Sequence, residues 1–378
     1  QALVDLAKKG LVGRAILTEA AAHNAMVLHA AFGGSTNLII HLPAVLYEAG
    51  VPRPGLEDWE QVNRQVPRLV DVLPNGPKNH PTLYVYLAGG VPEVMLHLRD
   101  LGLLRLDALT VTGRCLGEIL DWWERSPRRH RLRELLRRET GIDPDEVILS
   151  PNRAVALGMT GTSCFPRGNL APGGSVVKST AIDRRVLDDN GVFDRVLRAR
   201  VFVREKDAVA AIKGQTSHPV QPGDVVVLIG RGPMGSGMEE TYQITSALRY
   251  LPWGHEVAVI TDARFSGVST GACIGWVTPE ALTGGPIAKV RDGDRIRIVI
   301  DTRALQGSIN LVGDAEREFS PEEAEHVLKS RTPHPELRPD EHLPEDTRLW
   351  AMLQHISGGP WAGCVFDREA ILRRLQQT

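Results

Sequence analysis

Side chains that could do chemistry are concentrated in two loops between residues 224 and 272. The first loop, GRGPMGSG, leads through one methionine to the carboxylates of Glu239 and Glu240. The second, TDARFSGVSTGA, holds five further polar side chains: Asp262, Arg264, Ser266, Ser269 and Thr270. Carboxylates are ligands of hard cations such as Mg²⁺, and a serine hydroxyl can act as a base or nucleophile where positive charge lies close to it. The two loops are therefore the candidate functional site.

The elements that would position these loops are two apolar β-runs, at 225–229 and 257–260. Each run ends where one of the polar loops begins. If the two strands are neighbours in a parallel sheet, their loops leave the same edge and face one cleft. An apolar segment reaching to about residue 251 fits the helix that would connect them.

Glycines at 230, 232 and 235 formally match the dinucleotide-binding pattern G-x-G-x-x-G after a strand. The match is weak, because Pro233 and Gly237 are unusual in a turn that opens directly into a helix, and Asp262 comes late for the expected acidic partner. A phosphate-binding P-loop is not supported, since no Gly-Lys-Ser/Thr follows the glycines. A nicotinamide-dependent oxidoreductase stays open as an alternative, which NAD titration would test.

The composition of the chain argues against some classes of binding partner. The chain has 378 residues, 24% charged side chains and a net charge of -2, which argues against nucleic acid or an anionic membrane as its main partner. No apolar run has the length of a membrane helix, and the cysteines at 115, 164, 273 and 364 are scattered without a C-x-x-C pair. We expect a cytoplasmic protein without a disulfide framework.

An arginine-rich stretch at 125–138 invites a nucleic-acid interpretation. However, Leu132, Leu135 and Leu136 recur at helical spacing, and glutamates are interleaved with the arginines. This pattern favours a solvated amphipathic helix or an interface face.

The pattern of apolar residues changes near residue 150, from helical to strand-like. Residues 1–50 read as helices, 51–82 as turns with a short strand at 69–73, and 83–124 largely as helices, whereas short β-runs with Gly and Pro punctuation follow. We predict an α/β protein with a domain at 1–150 and a second, β-rich domain at 151–378 that ends in closing helices.

Two other places could bind an anion. Ser35, Thr36 and Asn37, in GGSTN between two predicted helices, would either cap a helix or hold a substrate carboxylate at its N-terminus. Lys178, in GGSVVKST, could bind an acidic substrate, and it equally fits a surface lysine at a strand end.

Several motifs, in the same order and spacing, resemble the dihydroxy-acid and sugar-acid dehydratases. The matching stretches run from end to end of the chain: AAFGGSTNLIIHLPAV, AGGVPEVM, LTVTGRCLGE, RGNLAPGGSVVKSTAID, GPMGSGMEETYQITSAL, ITDARFSGVSTGACIGWVTPEALTGGPIAKVRDGDRIRI and DTRLWAMLQHISGG. The stretches GNLAPGGSVVKSTAID, GMEETYQ and DTRLWAMLQ are similar to the sequences of the branch that acts on D-xylonate.

The resemblance implies a fold and a chemistry. The fold is the last part of an α/β domain followed by a β-rich swivelling domain like that of aconitase, in a homodimer or homotetramer. The reaction is loss of water from a sugar acid, giving a 2-keto-3-deoxy acid, with an iron–sulfur cluster (usually 2Fe-2S) and Mg²⁺ as cofactors. The family's magnesium ligand in the GM-x-E motif corresponds to Glu240, and its proton-abstracting serine in the R-x-S-G motif corresponds to Ser266. Asp262, Ser269 and Thr270 would position groups around Ser266.

The family's cluster cysteines, carbamylated lysine and other magnesium carboxylates lie upstream of the GGSTN segment, and the four cysteines here do not fall on the cluster positions. Because the chain opens with Gln1 inside a predicted helix, we expect an N-terminal region to be missing and to be needed for a complete site. Two alternatives stay open: a dihydroxy-acid dehydratase of branched-chain amino-acid synthesis, and an inactive or partner-dependent fragment.

Overall fold

A computed structural model describes residues 2–377, apart from the side chain of residue 3. It divides into two compact units, Gln1–Thr162 and Ser163–Thr378. We call them the helical unit and the sheet unit. The division falls twelve residues after the boundary predicted from the sequence at residue 150.

The helical unit contains α-helices joined by turns and short 3-10 segments. They are α1 (Ala2–Lys8), α2 (Glu19–Phe32), α3 (Leu38–Ala49), α4 (Leu56–Gln65), α5 (Thr82–Leu87), α6 (Gly90–Asp100), α7 (Leu116–Glu124), α8 (Pro127–Thr140), α9 (Pro144–Val147) and α10 (Pro151–Ala156). The strand predicted at 69–73 is reduced to an isolated bridge between Val70 and Ile148.

Helix α2 shows why these segments are helical. The hydroxyl oxygen of Thr18 accepts a hydrogen bond from the Ala21 amide at 3.2 Å, which satisfies a free amide in the first turn. The helix ends at Gly33, whose φ of 65° is a left-handed conformation that glycine adopts without strain. Between these ends Val27 and Ala30 are buried at a spacing that places them on one face.

The arginine-rich stretch forms helix α8, with Leu136 buried. Arg129 makes a two-pronged ion pair with the buried carboxylate of Glu93, at 2.7 Å for each bond, and Arg133 adds a third contact at 3.2 Å. At least two of the arginines of α8 are thus paired with a carboxylate inside the helical unit.

The sheet unit contains ten described strands and six described α-helices. The strands are β1 (Ser163–Cys164), β2 (Val176–Lys178), β3 (Val192–Phe202), β4 (Asp224–Leu228), β5 (Glu240–Thr241), β6 (Ala258–Thr261), β7 (Arg264–Phe265), β8 (Cys273–Gly275), β9 (Arg295–Asp301) and β10 (Gln306–Gly313). The helices are α11 (Glu205–Ile212), α12 (Pro233–Ser236), α13 (Gln243–Arg249), α14 (Pro321–Ser330), α15 (Glu345–Ile356) and α16 (Arg368–Gln376).

Eight strands form one mixed sheet in the order β1-β2-β8-β6-β4-β3-β9-β10. Its centre is parallel: β4 lies parallel to both β3 and β6, and β6 lies parallel to β8. Its flanks are antiparallel, and a parallel bridge from Arg167 to Ser308 connects the region after β1 with β10. All five residues of β4 are buried, as expected for a strand covered on both faces.

The predicted combination of helices and strands is confirmed at the coarse level, with a helical first part and a β-rich second part. Runs at 225–229 and 257–260 are β4 and β6 within one residue. Strand β10 and helix α14 were not predicted. Among the described residues, no helix is both long and apolar enough to cross a membrane.

Candidate functional site

The two polar loops leave the same edge of the sheet. Strands β4 and β6 are parallel neighbours, with Val225 opposite Ala258 and Leu228 opposite Thr261. The turn after β4 and the loop after β6 therefore start side by side, and the prediction that the two strands are neighbours is confirmed.

A second, two-stranded sheet then joins the loops directly. Strands β5 and β7 are parallel, with Glu240 opposite Arg264 and Thr241 opposite Phe265. One residue further on, the Ser266 amide donates a hydrogen bond to the Thr241 carbonyl at 3.2 Å. This ladder brings the candidate metal ligand Glu240 and the candidate base Ser266 to one place.

Ser266 begins a tight turn. Its carbonyl accepts a hydrogen bond from the Ser269 amide at 2.9 Å, and its side chain is half-buried. Within the described part of the chain, the Ser266 hydroxyl makes no hydrogen bond. The backbone of this serine is thus fixed while its Oγ is left for a ligand or a substrate.

The two adjacent glutamates have different partners. Glu239 accepts a two-pronged contact from the guanidinium of Arg231, at 2.7 and 2.5 Å, and Asp340 contacts the same guanidinium at 3.1 Å. Glu240 faces Arg264 at 3.4 Å and keeps a third of its side-chain surface exposed. Of the two, Glu240 is the better placed to bind an added cation.

Lys178 is buried, with 4% of its surface exposed, so the interpretation as a surface lysine is wrong. It lies at the end of β2, and its ammonium donates to the carbonyl of Gly267, the residue after Ser266, at 3.4 Å. Burial lowers the pKa of Lys178 to about 8, and within residues 2–377 no acidic side chain forms an ion pair with it. Such a cation is suited to a negatively charged ligand.

Asp262 is buried and fully engaged with backbone groups. Its carboxylate accepts hydrogen bonds from the amides of Gly230 at 3.0 Å, Arg231 at 2.8 Å and Ala281 at 3.0 Å. This side chain fastens the turn after β4 to the loop after β6. Its place in the site is that of a support for the loop backbones.

The other two predicted hydroxyls lie further along the same loop. Ser269 is buried, and its Oγ accepts a hydrogen bond from the Thr245 hydroxyl of α13 at 3.1 Å. Thr270 is half-buried at the end of the Ser266 turn. Ser269 therefore links this turn to α13.

Ser35, Thr36 and Asn37 belong to the helical unit. Asn37 is the N-cap residue of α3, but its side chain makes no capping bond. Instead the Ser35 hydroxyl accepts a hydrogen bond from the Asn37 amide at 3.3 Å, and Thr36 is buried. The cap expected from the residue types is thus replaced by a local turn.

Three residues of the site were missed at the sequence level: Arg231, Glu280 and Asp340. Arg231 lies within the glycine-rich turn, and its two acidic partners are 8 and 109 positions away. Glu280 lies 18 residues after Asp262, beside the buried residue Ala281. A charged side chain within a glycine-rich, otherwise apolar turn is the signal that could have identified Arg231, because a buried charge needs a partner.

Whether the expected cofactors fit depends on the ligands that the described residues offer. Nowhere between residues 2 and 377 do three or more His, Cys, Asp or Glu side chains meet in a way that could hold a metal ion. Mg²⁺ commonly takes one or two carboxylates together with water and substrate, so Glu240 fits as a single ligand. The four cysteines are free thiols, and burial raises the pKa of both Cys273 and Cys364 to about 12, so these thiols do not fit an iron–sulfur cluster.

Comparison with known proteins matches both parts of the chain to one family. Residues 1–119 match the profile of the dihydroxy-acid/6-phosphogluconate dehydratase N-terminal region, and residues 147–336 match that of the C-terminal region.

Three similar relatives illustrate the range. D-xylonate dehydratase YagF of Escherichia coli (strain K12) is 56% identical over 98% of this chain and 56% of its own length. D-xylonate dehydratase YjhG of the same strain is 55% identical over 97% of this chain and 56% of its own length. A dihydroxy-acid dehydratase of Mycobacterium sp. (strain JLS) is 40% identical over 86% of this chain and 50% of its own length. The chain spans a little over half the length of the first two relatives. From these matches, the chain belongs to the dihydroxy-acid/6-phosphogluconate dehydratase family.

Proposed function

We propose that this chain is part of a hydro-lyase that removes water from a sugar acid, D-xylonate, to give a 2-keto-3-deoxy acid. The observation that carries the proposal is the identity of 56% and 55% to two relatives named D-xylonate dehydratase, over 98% and 97% of the chain. The placement of Ser266 beside Glu240 supports it, because it provides a base and a cation ligand at one edge of the sheet unit.

In this reaction Ser266 removes the proton from C2 of the substrate. The C2–H electron pair forms the C2=C3 bond, the C3–O bond breaks, and the departing hydroxide takes a proton to leave as water. The resulting enol then tautomerises to the 2-keto acid. The free Ser266 Oγ is suited to the first step, since proton transfer needs the base within hydrogen-bond reach of the substrate.

Glu240 would supply one carboxylate ligand to Mg²⁺. When bound, this ion acts as a Lewis acid that acidifies the C2 proton and helps the C3 hydroxyl to depart. Arg264, now 3.4 Å from Glu240, would share this carboxylate with the cation. No step is assigned to the iron–sulfur cluster, because no described set of cysteines fits it.

Lys178 is proposed to bind the substrate carboxylate. Its buried ammonium lies against the turn that begins at Ser266, and a carboxylate ligand would provide the counter-charge that the described protein groups do not. The ammonium also adds positive charge beside Ser266, which favours a deprotonated hydroxyl.

We also propose roles for the other residues and for the whole sheet unit that the family implies. Ser35, Thr36 and Asn37 would contribute to the substrate side, and Asp262, Ser269 and Thr270 would position the loop around Ser266. The sheet unit would act as an aconitase-like swivelling domain following an α/β domain, in a homodimer or homotetramer with a 2Fe-2S cluster. These proposals rest on the family and on residue types.

The decisive experiment uses a chimaera in which this chain replaces the segment of E. coli YagF that it matches. The chimaera is reconstituted with iron, sulfide and Mg²⁺ without oxygen, and formation of the 2-keto acid from D-xylonate is followed. We expect turnover, and we expect Ser266→Ala to lower kcat by about 10²–10⁴-fold, the usual contribution of a general base. The matched control is Ser330→Ala, at the exposed end of α14.

Two outcomes would overturn parts of the proposal. Preference for 2,3-dihydroxyisovalerate over D-xylonate would favour the branched-chain alternative, because a polyol substrate needs hydrogen-bond partners that a branched apolar one does not. No turnover of either acid, while YagF prepared in the same way is active, would contradict the assignment of this chain as a dehydratase.

A further inference from the structure

Two buried carboxyl groups hold the turn that carries the candidate metal ligand. Asp262 accepts amide hydrogen bonds from Gly230 and Arg231, at the start of the turn. Glu280 accepts the Met234 amide, with both carboxyl oxygens at 3.1 Å, in the middle of the same turn. The exposed fractions are only 1% for Asp262 and 6% for Glu280.

The fit between the turn and Glu280 is close. A Cβ atom on Gly232 would lie 2.2 Å from Glu280 Oε2, so the absence of a side chain at residue 232 is what lets this carboxyl reach the backbone. Beyond Met234, the Ser236 hydroxyl accepts the Glu239 amide at 3.1 Å. Glu280 therefore holds the turn at Met234, and Ser236 holds it again at the residue before Glu240.

The two carboxyl groups differ in the number of amide donors that could stabilise a negative charge. Asp262 is stabilised by three amide donors, which favour its ionised form. Among the described residues, Glu280 accepts a hydrogen bond from one amide, that of Met234. Burial, and next the charge of Asp262, raise the pKa of Glu280 to about 8, whereas burial raises the pKa of Asp262 against the opposing effect of its donors.

Two other titratable groups, His355 and Cys364, lie near Glu280. His355, at the end of α15, lines the same cavity of about 270 Å³ as Asp262 and Glu280. Cys364 follows α15, and the charge of Glu280 is one cause of the raised pKa of its thiol. The nearby cation Arg231 is engaged with Glu239 and Asp340.

We propose that Glu280 is a positioning residue that acts as a neutral, hydrogen-bonded acid beside an ionised Asp262, and that loss of its proton releases the turn leading to Glu240. The role of Glu240 as a metal ligand rests on the proposed function, whereas the state of Glu280 does not. Repulsion between two buried carboxylates that share one turn is the physical cause of the release.

The linkage between protonation and stability gives the sign of the test. Because the pKa of Glu280 is raised in the folded chain, the folded state holds this proton between pH 4.5 and about 8 while the unfolded state has lost it. The stability from this group is complete below pH 4.5 and is lost as the pH rises to about 8. Glu280→Gln keeps the shape of the neutral acid and an acceptor for Met234, so it should abolish this loss.

The experiment is thermal unfolding of the 378-residue chain and of Glu280→Gln between pH 5 and 9. We expect the variant to melt at least about 2–4 °C above the wild type at pH 8, with a much smaller difference at pH 5. The control is Glu325→Gln, an exposed glutamate on α14, which should melt with the wild type at every pH. A Gln variant that is less stable than the wild type at pH 8 would overturn the proposal.

A second measurement needs no variant and separates this proposal from the proposed function. Amide hydrogen exchange at Met234, corrected for its intrinsic pH dependence, should accelerate about tenfold or more above pH 8, while exchange in the centre of β4 does not. Unchanged protection of Met234 up to pH 9 would also overturn the proposal. Neither measurement depends on turnover of a sugar acid.

Discussion

At the scale of single residues, the candidate site depends on which polar groups are already satisfied. Asp262 and Glu239 are engaged by amides or by an arginine, so they support the loops. Ser266 Oγ and the Lys178 ammonium, which contacts the turn at Gly267, have few protein partners among the described residues. The groups left for a substrate are therefore a hydroxyl and a cation, a combination suited to a hydroxy acid.

Replacing Lys178 with Met should stabilise the chain. Because burial lowers the pKa of Lys178 from 10.5 to about 8, the folded state binds this proton more weakly than the unfolded state does. The cost is full at and below pH 8 and declines towards pH 10.5. We expect Lys178→Met to raise the free energy of unfolding by about 2 kcal/mol at pH 7, and by less at pH 10, in denaturant titrations.

Lys213→Met is the control, since Lys213 is exposed after α11. If Lys178→Met destabilises the chain at pH 7, the view of Lys178 as an uncompensated buried cation is wrong. In the active chimaera, the same variant should raise KM for D-xylonate, since the proposed partner of the substrate carboxylate is lost.

Residue types alone predicted the candidate groups but not their state. The carboxylates and hydroxyls of the two loops were identifiable, because polar residues after apolar β-runs are typical of sites in α/β proteins. The burial of Lys178 was not, because the strands that cover it are far away in sequence. Glu280 escaped notice for the same reason, since its role depends on Gly232, which lies 48 positions earlier.

At the scale of elements, the candidate site is made by two parallel pairings. Strands β4 and β6 bring the loops to one edge, and β5 and β7 then lock their residues in register. Apolar runs predicted β4 and β6, whereas β5 and β7 are two residues long and carry no periodic signal. Short ladders of this kind form because the loops around them are already held in place.

Glycine 235 is a sensitive position in the turn between β4 and β5. A Cβ atom there would lie 1.9 Å from the carbonyl oxygen of Gly230, so the backbone itself would have to move. We expect Gly235→Ala to destabilise the chain by about 1–3 kcal/mol in denaturant titrations. Gly13→Ala, where a Cβ would meet open space, should change stability by less than about 0.5 kcal/mol.

Equal effects of the two alanine substitutions would contradict the described path of this turn. In the chimaera, Gly235→Ala should also raise the Mg²⁺ concentration needed for half-maximal activity, because the displaced turn leads to Glu240. The first result concerns the fold alone, and the second depends on the proposed function.

At the scale of the whole molecule, each unit has its own interior. The main core of the sheet unit is formed by buried side chains from Cys164 to Leu328, all inside that unit. We therefore expect residues 163–378, produced alone, to unfold in one cooperative transition with near-ultraviolet circular dichroism typical of packed aromatic side chains. A gradual transition, or dye binding typical of a loosely packed state, would contradict this expectation.

The change from helical to β-rich sequence was predicted because the periodicity of apolar residues changes from helical to strand-like. The order of the eight strands was not predictable from pattern alone. Strand β3 lies between β4 and β9. Asp194 of β3 and its ion-pair partner Arg297 of β9 are 103 positions apart, and such long-range pairing leaves no trace in local periodicity.

The contact between Arg231 and Glu239 has a consequence for which of two neighbouring carboxylates becomes available. Successive residues of a strand point to opposite faces, so a slip of β5 by one position would present Glu239 opposite Arg264 and place Met238 where Arg231 now finds its partner. Without a carboxylate there, the nearly buried guanidinium of Arg231 would lose its two-pronged partner and keep the contact with Asp340. Arg231 thus fixes the register of β5 and makes Glu240 available without contacting it. A Met238→Glu substitution would weaken this control, because Glu at residue 238 could pair with Arg231 in the shifted register.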